Sequence, residues 1–220
     1  MRETSALDSP SFERAARAGA LGHGRATVEQ RAALAVVVRS DPDARVRAVA
    51  LGALVRSSPR RDAAPVWRDA ARDDDASVRR RAAEVAPALG AALPVQPLVG
   101  LLDDADPLVA EAAAFALGEH PRAGTRAIAA LCRAATSHDD PIVREAAVAA
   151  LGARGDPATR DVVLAACDDK PAVRRRAVLA LAAFDGPEVE ERLRRALEDR
   201  DWQVRQAAED LLDAGSSPEG

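Results

Sequence analysis

The sequence has no tyrosine and no asparagine, and it carries only three phenylalanines, two tryptophans, one methionine and a single lysine, Lys170. A core without rings has to be built from small side chains brought close together, and 53 of the 220 residues are alanine. The scarcity of aromatics also removes the stacking platforms on which single-stranded nucleic acids are held. The two cysteines, Cys132 and Cys167, lack C-x-x-C spacing and sit among Ala and Leu. That pattern excludes a disulfide scaffold and fits a reduced, intracellular chain. Long hydrophobic runs are missing too: the strongest, 32–38, falls far short of the roughly 20 residues a membrane helix needs. The first twenty residues interleave Arg2, Glu3, Asp8, Glu13, Arg14 and Arg17, with no apolar stretch of a secretory signal. A cytoplasmic protein without a membrane span is expected. Neither sign of charge dominates, 31 basic residues facing 35 acidic ones, so nothing in the balance attracts a polyanion.

What the chain does contain is a repeat. Aligned on a Val-Arg dipeptide, six blocks start at Asp41, Asp73, Asp104, His138, Asp168 and Asp199. Their anchoring valines, Val46, Val78, Val109, Val143, Val173 and Val204, are 32, 31, 34, 30 and 31 residues apart. Self-similarity at this period marks stacked supersecondary units. Each block opens on carboxylates, often with Pro just inside, and then runs apolar at helical period, the pattern of a capped helix start. Asp43, Asp75, Asp106, Asp140 and Asp201 fall at the cap position, while Lys170 breaks the rule, so that Asp168 or Asp169 must cap the fifth block or its helix starts more weakly. Four residues past every anchor stands alanine: Ala50, Ala82, Ala113, Ala147, Ala177 and Ala208. A small residue there lets neighbouring helices approach closely.

Between the blocks lie further helical segments at 28–38, 63–72, 95–102, 124–135, 159–167 and 188–197, with Pro and Gly punctuating the gaps. Each unit is thus helix, turn, helix. A unit of this size cannot bury its apolar face alone and must stack on its neighbours. The expected fold is all-α, a right-handed α-solenoid of about six helix-turn-helix repeats over 27–213. A segment at 1–26 with a possible capping helix at 11–21 precedes it, and a disordered tail at 214–220 follows.

The D-x-D-P-x-V-R-x-x-A-x-x-A-L pattern resembles the HEAT repeat and, in its short period, the phycobilisome-lyase type of HEAT-like repeat. The resemblance implies a superhelix whose Val-Arg helices line the concave side, a scaffolding role, and a ladder in which motif Asp and Arg pair between layers. The Arg is present at Arg47, Arg79, Arg144, Arg174 and Arg205 but is replaced by Ala110, so the ladder is expected to break there.

Signatures of chemistry are weak. His23, His120 and His138 lie in separate units without metal-ligand spacing, and the HEAT-like di-iron hydroxylases, which this architecture resembles, use repeated His-Glu motifs that are missing here. The acidic turns are explained by capping, and His138 takes the turn role of the Asp it replaces. No nucleophile elbow or phosphate-cradling loop occurs. Formal charge along the Val-Arg helices alternates: +2 over 43–56, +1 over 75–89, −3 over 106–119, 0 over 140–154, +2 over 171–185 and −3 over 201–213. A nucleic acid would meet repulsion twice along that track.

No enzyme activity and no cofactor are expected, and no nucleic acid partner. The side of each Val-Arg helix two, five and six residues past the anchor is mixed in charge with apolar groups, among them Leu51, Phe115, Val148, Val178 and Leu179. That composition suits a protein or peptide partner, although stacking between layers would bury the same positions. The expected function is a non-catalytic interaction scaffold, with Arg80, Glu111, Phe115, Glu145, Arg175 and Leu179 as its binding residues. The alternatives are an accessory subunit of an enzyme, like the bilin-lyase group, and a nucleic-acid binder. Trp67 is assigned to the core and Trp202, in the place of a proline, to a partly exposed position.

Overall fold

The computed structural model describes residues 10–24 and 26–216, with side chains through 213. Thirteen α-helices and no strand occur among them: α1 (Ser11–Leu21), α2 (Val28–Ser40), α3 (Ala44–Ser57), α4 (Arg60–Ala70), α5 (Ala76–Leu89), α6 (Val95–Leu102), α7 (Pro107–Glu119), α8 (Thr125–Ser137), α9 (Pro141–Arg154), α10 (Arg160–Ala166), α11 (Pro171–Ala180), α12 (Pro187–Ala196) and α13 (Trp202–Ser216). The even-numbered helices from α2 to α12 match the segments expected between blocks, and the odd-numbered ones from α3 to α13 are the Val-Arg helices. The fold is all-α, built of helix pairs in the layering of an α-solenoid. Residues 217–220, the end of the tail expected to be disordered, lie outside the described residues.

The helices group into two compact units, one comprising residues to 116 together with 120–122, the other 117–119 and 123 onward. In the first unit α1 and α2 both pack on α3, α3 packs on α5, and α4 lies against α2 and α5. In the second, α8 packs on α9, α9 on α11 and α11 on α13, with α10 against α8 and α11, and α12 against α13.

The helix starts follow from the sequence. Asp43, Asp75, Asp106, Asp140 and Asp201 each accept a hydrogen bond from the backbone N–H two residues on, at 2.8–2.9 Å. These bonds satisfy amides that the first turn leaves open, and the carboxylate charge faces the positive end of the helix dipole. Lys170 gives no side-chain cap, so α11 starts uncapped, with Pro171 fixing its first turn. Asp168 and Asp169 are engaged elsewhere, by Arg192 and Arg144.

Packing follows the same register. All six anchoring valines are buried to 1% or less, and all six alanines four residues on are fully buried. Glycine lets helices of successive layers approach closely: a Cβ on Gly152 would lie 2.6 Å from that of Ala180, too near to fit without a shift, and one on Gly118 would lie 3.1 Å from the Cα of Ala150. Trp67 is fully buried and donates from Nε1 to the Ala82 carbonyl at 2.6 Å, which pays the desolvation of its one polar atom. His120, also buried, accepts from the Arg122 N–H at Nδ1, so Nε2 carries the hydrogen that faces the Leu93 carbonyl at 3.3 Å.

The sequence left open whether the apolar groups beyond the anchor are exposed or packed between layers. Leu51, Val148 and Val178 are buried to 1% or less, as are Ala83 and Ala114 at the same register position, whereas Phe115 is 60% exposed. Five residues past the anchor a side chain is covered by its surroundings and not held open to solvent. In α13 the same position holds Glu209, which is exposed.

Candidate functional site: the exposed side of the Val-Arg helices

A ladder of arginines and aspartates runs along each unit and fixes which side chains remain free. In the first unit Arg14 meets Asp41, Arg47 meets Asp73 and Arg79 meets Asp104, with shortest contacts of 2.6–2.9 Å. In the second, Arg144 meets Asp169 at 2.6 Å and Arg174 meets Asp199 at 2.7 Å. Every rung uses two guanidinium nitrogens on two carboxylate oxygens, the strong paired geometry open to Arg and not to Lys. From Arg47 onward the third nitrogen donates to a carbonyl of the helix's own entry turn. The Arg hydrogen bonds hold the carboxyls of Asp41, Asp104, Asp169 and Asp199 below the ordinary carboxylate range, against a smaller opposing effect of burial.

The ladder includes α1, whose Arg14 the repeat alignment passed over because Glu13 stands where an anchoring valine would. It lacks a rung at Ala110, as expected, and the sequence has dropped both members: the position that is Asp41, Asp73 and Asp104 in earlier blocks is His138. His138 keeps the turn, accepting the Asp140 N–H at Nδ1 and the Arg144 guanidinium at its carbonyl.

With the first arginine of each triplet committed to the ladder, Arg80 and Arg175 are the exposed members. Arg80 is held by Glu84 at 3.0 Å, and Glu84 also takes Arg81. Arg175 has no ion pair among the described residues. Glu145, half-buried, pairs with Arg176 at 3.4 Å. Leu179 is half-buried and lines a shallow cavity of about 320 Å³ with Ala149, Gly152 and Arg176. Phe115 is 60% exposed, and Glu111 lies half-buried one turn before it. Arg80, Glu111 and Phe115 belong to the first unit, and Glu145, Arg175 and Leu179 to the second.

Sequence reasoning missed Leu108, 40% exposed, and Ile142, 36% exposed, each just before an anchoring valine. The signal was present: Leu108 stands seven residues from Phe115, hence on the same side of α7 with Glu111 between them. Trp202 is 64% exposed.

The remaining reactive groups are quiet. Burial pushes the Cys167 thiol up to about 12, and burial likewise raises Cys132. Among the described residues no three His, Cys, Asp or Glu side chains converge as metal ligands, and no helix is long and apolar enough to cross a membrane. A cavity of about 410 Å³ beside Cys167 is lined by Arg174, Arg192, Asp168 and Asp199, which already pair with one another.

Layered helix pairs joined by a guanidinium–carboxylate ladder define an α-helical repeat protein. The HEAT-repeat profile matches residues 31–118, 95–172 and 164–214. The chain belongs to the HEAT-repeat family. The Escherichia coli protein YibA is similar in structure, with a TM-score of 0.71 at 21% identity over 94% of this chain and 77% of that one. Two engineered proteins are similar with TM-scores of 0.56 and 0.53, at 20% and 22% identity, over 90% of this chain and 97% and 95% of theirs. A search of curated proteins finds no match.

Proposed function

We propose that the chain is a non-catalytic interaction scaffold that holds a protein or peptide segment on the exposed side of its Val-Arg helices. The contact residues are Arg80, Glu111 and Phe115 in the first unit, joined by Leu108, and Glu145, Arg175 and Leu179 in the second. The observation that carries this reading is the apolar pair on α7: Phe115 is 60% and Leu108 40% exposed on one side of a single helix, with Glu111 between them. An aromatic with a charged rim is the composition of a binding centre. Burial raises both thiols, and His120 and His138 are engaged in turns, which favours binding over catalysis at these side chains.

The test is affinity capture from the native host with the wild-type chain and with a Phe115→Ala/Arg175→Glu variant, both verified as folded by their helical circular dichroism. Loss of specific protein partners from the variant supports the assignment. An unchanged partner set contradicts it. Copurification of a coloured small molecule, held equally by both proteins, would favour the bilin-lyase-like accessory role instead.

A further inference from the structure

Resting on the scaffold reading, we propose that α7 recognises its partner through an arginine side chain of the bound segment, seated between Glu111 and Phe115 beside an apolar neighbour that covers Leu108. Glu111 lies one helical turn from each of Leu108 and Phe115, so the three share a face with the carboxylate at its centre. Among the described residues Glu111 has no hydrogen bond and no ion pair. Its register counterpart Glu145 is engaged by Arg176 at 3.4 Å, whereas the block after Glu111 carries Ala146 where Arg176 stands. All ionisable residues of α7, Glu111 and Glu119, are acidic.

An open carboxylate flanked by exposed apolar groups, one of them a ring, asks for a ligand that is cationic, flat and carried on an apolar stem. Guanidinium meets each demand: its fork matches the carboxylate, its plane stacks on the Phe115 ring, and its methylenes cover apolar surface. A lysine ammonium also rides on an apolar stem, but it is a compact, strongly hydrated charge with neither the fork nor the plane. The partner class is therefore a protein segment bearing arginine next to an apolar residue, not a lysine-rich or acidic one.

The test pans a phage-displayed library of random peptides against the full chain and measures enriched peptides by fluorescence anisotropy. Enriched peptides are expected to share an arginine beside an apolar residue. Replacing that arginine by lysine, or Glu111→Gln in the protein, should each weaken binding about tenfold. Phe115→Leu, which keeps bulk and loses the ring, should weaken it by a smaller factor. These exposed substitutions leave the fold intact, as an unchanged urea midpoint would verify. Peptides that need Phe115 but lack arginine, or that tolerate Glu111→Gln, would overturn the arginine inference and leave the scaffold reading standing. If no enriched peptide depended on Phe115 or Arg175, both would fall.

Discussion

Helices α7 and α11 are two copies of one design that differ in what they expose. Both keep the stacking register: Val109, Ala113 and Ala114 in α7 are fully buried, and Val173, Ala177 and Val178 in α11 are buried to 1% or less. They part in their polar residues. Helix α11 carries three consecutive arginines, of which Arg174 forms a ladder rung and Arg176 holds Glu145. Helix α7 has no arginine; its ladder position is the buried Ala110, and its outer side shows Phe115, Leu108 and an unpaired Glu111. The difference teaches that layering is carried by apolar contacts, and that a layer relieved of its rung can present a binding face.

The largest effect that would sharpen this contrast is in the ladder itself. Arg174→Met leaves Asp199 without its counter-ion at a site where the side chains are 7% and 16% exposed. It should cost about 3 kcal/mol, read as a lowered urea midpoint. Phe115→Ala, by contrast, should change stability by less than about 0.5 kcal/mol, because it removes a side chain that water already covers.

Acid should separate the two helices next. The ladder carboxyls Asp41, Asp104, Asp169 and Asp199 are held below their ordinary range by their arginines. A lowered folded-state value stabilises the fold above the unfolded value of about 3.9 and loses that contribution as pH falls through the lowered value. The urea midpoint should stay level from neutral pH to about 5 and fall below about 4. Asp199→Asn should flatten that acid limb, whereas Phe115→Ala, which removes no titratable group, should leave it unchanged.

The smallest expected difference is one between two packing variants. Gly118→Ala in the last turn of α7 should cost less than Gly152→Ala in α9, since its new Cβ would stand 3.1 Å rather than 2.6 Å from the facing alanine. Thermal midpoints of the two variants check the order.

The fold was legible because the same physical demand recurs in every block. Five aspartates cap helices, six valines and six alanines fill the contact between rods, and the rung missing at Ala110 shows as a single departure from pattern. The binding side was only partly legible. A helical wheel separates the face toward a paired helix from its opposite, but a stacked helix also has a neighbouring layer. That third direction buried Leu51, Val148 and Val178. Counting forward from the anchor likewise hid Leu108, one residue before it, and Arg14, whose block begins on Glu13 instead of Val.

Hydrogen exchange of the chain, measured with and without the partner protein captured on it, tests the central claim most directly. The account predicts that the partner slows exchange along 107–119 while α8, α10 and α12 keep their rates. Slowing confined to those three helices, with 107–119 unaffected, would contradict it.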